Sequence, residues 1–211
     1  MKIISHRGYW ISPSEKNAEV AFRRSFEHGF GTETDVRDFN GELVISHDMP
    51  VSLEGLISLE RFFIIYTEYE PLPLALNIKS DGLQKPIHSL LERHSVENYA
   101  LFDMSVPDQI VTAKHKLKHL TRASEYESAV MLDDAEGVWA DEFHDNWIDA
   151  QFISDLAQKN KAVYIVSPEL HARNHLHRWR DYMSMGLQNF SHVFLCTDLP
   201  EQAKEFFLGG R

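Results

Sequence analysis

The chain has 211 residues, and 21 Lys and Arg against 32 Asp and Glu give a formal charge of −11. Hydrophobic residues make up 43% and charged residues 25%, a balance that buries one sizeable core and excludes disordered, collagen-like and coiled-coil classes. The acidity also argues against nucleic acid as a partner, because a phosphate backbone is met by a basic footprint.

Short apolar runs alternate with amphipathic stretches along the whole chain. Lys2–Ser5 reads as a strand, and Glu15–His28 as a helix whose face is marked by Val20, Ala21, Phe22 and Phe26, with Gly29 as its C-cap. Gly31–Asp38 is a second strand, turned by Asn40-Gly41 into a hairpin arm at Glu42–Ser46. Leu53–Tyr69 reads as helical up to Pro71 and Pro73. Strand three follows at Pro73–Ser80, a helix at Leu83–His94, a strand at Tyr99–Met104 and a helix at Asp108–Lys116. Leu117–Ala123 is a fifth strand and Glu125–Ala129 a shortened helix, while Val130–Leu132 and Val138–Ala140 compete for strand six. Ile148–Asn160 (helix), Ala162–Val166 (strand), His175–Met185 (helix), Val193–Thr197 (strand) and Pro200–Phe207 (helix, Pro at N1) complete the series.

Seven or eight strand–helix units imply an α/β fold with a parallel sheet, as one domain over residues 1–211; eight units favour a single (β/α)8 TIM barrel over an open doubly wound sheet. No Gly-x-Gly-x-x-Gly follows the first strand and no Walker-type loop occurs, which removes the main support for dinucleotide or nucleoside-triphosphate binding. No run reaches the roughly 18 apolar residues of a membrane helix, and the start lacks a signal-peptide apolar region. One cysteine, Cys196, excludes an internal disulfide framework and fits a reducing compartment, so the expected location is cytoplasmic.

Polar residues concentrate at the ends of the first three strands: Ser5-His6-Arg7-Gly8, Glu33-Thr34-Asp35, Ser46-His47-Asp48 and Asn77-Ile78-Lys79. Strand alternation points Glu33 and Asp35 the same way, and likewise Asn77 and Lys79. Two carboxylates so spaced suit a hard divalent cation, Mg²⁺ or Ca²⁺, to which Asn77 adds a neutral carbonyl oxygen. Arg7 and Lys79 supply positive charge for a phosphate. His6 and His47 titrate near neutrality, so one can accept a proton while the other donates one. Taken singly, each of these motifs is more often a solvated or hydrogen-bonded strand end; their joint occurrence points to phosphodiester cleavage. Trp139, next to Asp141 at a strand end, is either an apolar wall for substrate or a packing residue. His171, His175 and His177 read as a solvated helix start, and Phe62-Phe63 as core.

The order Ile4-Ser5-His6-Arg7-Gly8, Asn17, Ala21-Phe22, Gly31-x-Glu33-x-Asp35-Val36 and Asn40-Gly41-x-Leu43-Val44-x-Ser46-His47-Asp48 resembles the glycerophosphodiester phosphodiesterase family. Lys79, Val138-Trp139-Ala140-Asp141, Ser167-Pro168-Glu169-Leu170 and Thr197-Asp198-x-Pro200 extend the resemblance through nearly the whole chain. It implies a TIM barrel of the phospholipase-C-like phosphodiesterase superfamily. His6 and His47 would be the acid–base pair, Glu33 and Asp35 the holders of a divalent metal, and Arg7 and Lys79 the phosphate contacts. The implied substrate is a small or lipid-derived phosphodiester, cleaved to a phosphomonoester and an alcohol.

The chain departs from that family at three places. Asn77 stands where a third metal carboxylate is usual, leaving Asp103, Glu125 and Asp141 as candidates to compensate. Lys16 stands where Glu is usual in Glu15-Lys16-Asn17. The segment between His47 and Asn77 is short and lacks the family's covering insertion. An open mouth leaves room for a cyclising, sphingomyelinase-D-like reaction on a bulkier lipid, and a weakened metal cage for a barrel that binds a phosphorylated ligand without turnover.

Overall fold

The computed structural model describes residues 1–209. The chain forms two compact units, one running from Ser5 to His119 and the other comprising Met1–Ile4 and the chain from Leu120 onward.

In the Ser5–His119 unit, the end of strand β1 (Lys2–His6) is followed by a single 3-10 turn at Pro13–Glu15 and helix α1 (Glu19–Glu27). Ala21, Phe22, Ser25 and Phe26 make the buried face of α1, whereas Val20, expected on that face, points outward. Strand β2 (Gly31–Phe39) turns at Asn40-Gly41, both at positive φ (52° and 83°), into the antiparallel β3 (Glu42–Ile45). Such a pair of left-handed residues matches the twist of a two-residue hairpin.

The helix expected over 53–69 is shorter. Ile57–Ser58 instead forms a brief strand, β4, paired with Val44–Ile45, and Ser58 then caps α2 (Leu59–Tyr66) by accepting from the Arg61 N–H at 3.0 Å. Strand β5 (Leu74–Ile78) pairs in parallel with β2, setting Glu33 opposite Ala75 and Asp35 opposite Asn77. Helix α3 (Gln84–Arg93), strand β6 (Tyr99–Phe102), parallel to β5, and helix α4 (Val106–Lys114) complete the unit. Its core gathers Phe22 and Phe26 of α1, Phe62, Phe63 and Tyr66 of α2, and Leu74 and Leu76 of β5. The Phe22 and Phe62 rings meet edge to face at 4.6 Å.

In the other unit, strands β7 (Leu120–Ala123), β8 (Gly137–Ala140), β9 (Ala162–Val166) and β10 (Val193–Thr197) run parallel in that order. Helices α5 (Ala150–Gln158), α6 (His175–Ser184) and α7 (Pro200–Leu208) follow β8, β9 and β10. Of the two segments competing for strand six, the structure takes 137–140 and leaves Val130–Leu132 out of the sheet. The expected helix over Glu125–Ala129 is absent as well. The Glu125 carboxylate instead accepts the main-chain N–H groups of Phe143, His144 and Asp145, at 2.7–3.2 Å, holding its own segment as a loop.

Gly137 is fixed by packing, since a Cβ there would lie 2.1 Å from the Ala162 carbonyl oxygen. A buried charge network ties this unit together: Glu142 accepts from Arg178 Nε and Nη2, the Tyr182 hydroxyl and the Ile148 N–H. With every acceptor used, the pair is internally satisfied.

Candidate functional site

Five of the strand-end residues named from the sequence, together with Asn77, converge within the Ser5–His119 unit. Glu33 and Asp35 project from one face of β2 and are almost completely buried, at 1% and 0% exposure. Ala75 opposite Glu33 leaves that side chain room, and Asn77 opposite Asp35 adds an amide oxygen.

The main chain bends sharply where β1 ends. Arg7 and Gly8 both take positive φ, 59° and 82°. Gly8 is required twice over, because a Cβ would also come within 2.9 Å of the Ala21 backbone. This turn aims the Arg7 N–H at the Glu33 main-chain oxygen (2.9 Å) and at its carboxylate (3.2 Å). It also brings Arg7 Nε to 2.9 Å from Asp35 Oδ2, an ion pair whose angle falls outside hydrogen-bond alignment. The His6 Nε2 atom stands 3.9 Å from the Glu33 carboxylate.

Asn17 completes the Asp35 cradle. It donates to Asp35 Oδ2 at 2.8 Å, accepts from the Thr34 hydroxyl at 2.8 Å, and is held by its N–H on the Arg7 carbonyl at 2.9 Å. Sequence reading named Asn17 only as part of a motif; its position two residues before α1 gave no hint of a contact with β2. Lys79 lies 3.5 Å from Asp35 Oδ1 and donates to Asp103 Oδ2 at 3.3 Å. Asp103 therefore holds the lysine. Of the other two carboxylates considered as replacements for a third metal ligand, Glu125 binds main-chain N–H groups and Asp141 pairs with His171 at 3.0 Å.

The electrostatics of the pair are lopsided. Burial pushes the Glu33 carboxyl up to about 7, and the neighbouring Asp35 charge adds to this, against the opposing pull of His6, Arg7 and Lys79. Two atoms in this cradle are buried acceptors with no hydrogen-bond donor, Asp35 Oδ1 and Asn77 Oδ1. Adjacent in register and oxygen-only, they are the donor chemistry of a hard divalent cation, as is Glu33 beside them. Among the described residues, no three His, Cys, Asp or Glu side chains are grouped to hold a metal. The Asn77 amide is the further oxygen donor next to the pair in register.

His47 sits at the rim. Ser46 donates its N–H to the Asp35 carbonyl at 3.1 Å, which carries the hairpin end alongside the site, and the His47 ring is 46% exposed. Its Nδ1 pairs with Asp48 Oδ1 at 2.7 Å, and Arg37 donates to its carbonyl at 3.1 Å. The Asp48 carboxyl is lowered first by the His47 hydrogen bond, with smaller pulls from Arg7 and Arg37, so this histidine arm lies within the field of Arg7. An Nδ1–H bound to Asp48 leaves Nε2 as the free basic nitrogen. Asp48 is thus a second residue whose role sequence reading missed.

Trp139 belongs to the other unit, as one rung of an aromatic ladder across three strands. Its ring stacks on its register partner Tyr164 at 6.3 Å, and Tyr164 stacks on its own partner Phe194 at 4.1 Å. Trp139 is 6% exposed. Among the later motif pieces, Glu169 accepts from the Ser167 and Thr197 hydroxyls and the Asp198 N–H, tying the ends of β9 and β10.

No protein-family model matches the chain, and no curated protein matches it by sequence. Solved structures do. A candidate glycerophosphodiester phosphodiesterase from Galdieria sulphuraria is 20% identical, with a TM-score of 0.76 over 98% of this chain and 97% of that one. A glycerophosphodiester phosphodiesterase from Parabacteroides distasonis is 18% identical, with a TM-score of 0.74 over 99% and 97%. A third, from Agrobacterium tumefaciens, is 14% identical, with a TM-score of 0.71 over 95% and 98%. The chain has the α/β fold of these proteins, the (β/α)8 class that its strand–helix alternation implies. Among the described residues no helix is long and apolar enough to cross a membrane.

Proposed function

We propose that the chain is a metal-dependent phosphoric diester hydrolase acting on glycerophosphodiesters or a related small phosphodiester. The observation that carries this reading is the buried Glu33–Asp35 pair, whose Asp35 Oδ1 lies beside an equally donorless Asn77 Oδ1, flanked by Arg7 and Lys79. Glu33, Asp35 and Asn77 would hold Mg²⁺ or Ca²⁺. When bound, that ion supplies charge neutralisation for the non-bridging phosphate oxygens.

The chain's own groups do the rest. Arg7 and Lys79 are pre-aimed by Asp35, and Lys79 also by Asp103, so their charge meets a phosphate without first being reorganised. His6, at the end of β1, and His47, at the rim, act as the acid–base pair: one takes the proton of the substrate hydroxyl that attacks phosphorus and the other protonates the leaving alcohol, after which water opens the cyclic phosphate to the phosphomonoester. Asp48 holds His47 in the tautomer whose Nε2 can take part. The likeness in fold to glycerophosphodiester phosphodiesterases supports the same class of substrate. The single cysteine, Cys196, being buried and free, supports a reducing, cytoplasmic setting.

A second outcome of the same site is favoured by one feature. Directly after His47-Asp48, Met49, Val51 and Leu53 are exposed at 69%, 97% and 41%. Exposed apolar side chains following the histidine in sequence suit a bulkier, lipid-derived substrate, whose reaction would stop at a cyclic phosphate. The test is an assay of the purified protein against glycerophosphodiesters and lysophospholipids with Mg²⁺ or Ca²⁺, read by phosphorus NMR. A phosphomonoester supports hydrolysis, a persistent cyclic phosphate supports the second outcome, and no turnover of any substrate rejects both.

A further inference from the structure

The unit built on β7–β10 carries a cleft of about 450 Å³ with an unusual lining. Its walls include three aromatic rings, Tyr126, Trp147 and Phe152, and two carboxylates, Glu125 and Glu127; no lysine or arginine lines it. Trp147 and Phe152 meet edge to face at 4.9 Å and 73°, forming an aromatic corner. The corner is rigid, because the Trp147 indole N–H donates to the Asp141 carbonyl at 2.7 Å and Phe152 is anchored at the start of α5, where Asp149 accepts its N–H at 2.8 Å. Tyr126 is 72% exposed on the segment that failed to form a helix.

The charges complete the picture. Glu127 is offset by Arg122, 3.1 Å away. Glu125 has main-chain N–H partners, which leave its full charge in place. Burial raises its carboxyl, but those N–H donors outweigh the effect and hold it at about 2, so it is ionised at any ordinary pH. An aromatic corner with a fixed negative charge repels phosphate and carboxylate ligands, and gives a neutral apolar ligand no use for that charge. It complements a large, weakly hydrated cation, which gains from ring faces and carboxylate together.

We propose that this cleft is a binding site for a small quaternary-ammonium ligand. The ammonium methyls pack on the Trp147–Phe152 corner, Tyr126 closes over the cation, and Glu125 supplies the counter-charge. The site is independent of the phosphodiesterase reading, as none of its residues belongs to the carboxylate cradle.

Choline chloride titrated into the intact protein, followed by the Trp147 indole N–H resonance, tests the proposal. Saturable binding in the millimolar range is expected, with 3,3-dimethylbutanol, the uncharged isostere of choline, binding several-fold more weakly. Tyr126→Ala, at an exposed position, should weaken choline about three- to thirtyfold, the range of one cation–π contact, and leave the fold intact. His6→Ala should bind choline as the parent protein does, which separates this site from the activity. Equal binding of choline and its isostere would make the cleft merely apolar and overturn the proposal. So would a Trp147 resonance that stays unmoved by choline, or a Tyr126→Ala variant of unchanged affinity.

Discussion

Replacing Glu33 by Gln removes a buried charge that its surroundings penalise. In the metal-free protein the Glu33 carboxyl titrates at about 7 against an ordinary 4.5, first because it is buried and second because Asp35 lies on the same strand face. A native-state pKa above the unfolded one means the folded protein holds the proton more tightly. Stability therefore falls as pH rises from about 4.5 through about 7, and the whole penalty is present above that. At about 1.4 kcal/mol per pH unit, this interval corresponds to ~3 kcal/mol. Gln keeps the shape and removes the titration. Urea unfolding of chelator-treated protein should then give Glu33→Gln and parent within about 1 kcal/mol of each other at pH 5. At pH 8 the variant should be more stable by about 3 kcal/mol. A difference that stays constant from pH 5 to pH 8, or a variant less stable at pH 8, would refute the burial argument.

Four further outcomes follow from the same contacts. Asn17→Ala removes a charge-assisted hydrogen bond to Asp35 and the acceptor of the buried Thr34 hydroxyl; chemical unfolding should show a loss of about 2–4 kcal/mol. Gly8→Ala sets a Cβ 2.9 Å from the Ala21 backbone at φ 82°, and thermal unfolding should register about 2 kcal/mol or more of destabilisation. Asn77→Asp restores a third carboxylate opposite Asp35, so calorimetry should find Mg²⁺ or Ca²⁺ bound about tenfold or more tightly, with unchanged affinity counting against Asn77 as a ligand. Asp48→Ala frees the His47 tautomer; kcat should drop at least about tenfold while KM is little changed, and the reverse pattern would assign Asp48 to substrate binding.

The parts of the structure legible in the sequence were those decided locally. Strands β9 and β10 coincide with apolar runs whose ends are set by Ser167 and by the Thr197-Asp198 pair before Pro200. The common face of Glu33 and Asp35 follows from strand alternation alone. The failures share a cause in distant partners. Ile57–Ser58 left its helix to pair with β3, and Glu125 gave up a helix to bind N–H groups 18–20 residues further on. At the site, the sequence named both histidines, but the clamp on Lys79 comes from Asp103, 24 residues away, and no periodicity announces it. Asn77 was visible as a departure, whereas its donorless oxygen beside that of Asp35 emerged only from the register of β2 and β5.

The most direct measurement is product formation from a glycerophosphodiester by the purified protein, followed by phosphorus NMR with Mg²⁺ or Ca²⁺ added. The account predicts a phosphomonoester whose appearance stops with EDTA and falls by about 10²–10⁴ in each of His6→Ala and His47→Ala. Turnover that survives both EDTA and the two substitutions would contradict it, as would a folded, metal-supplied protein that turns over no phosphodiester at all.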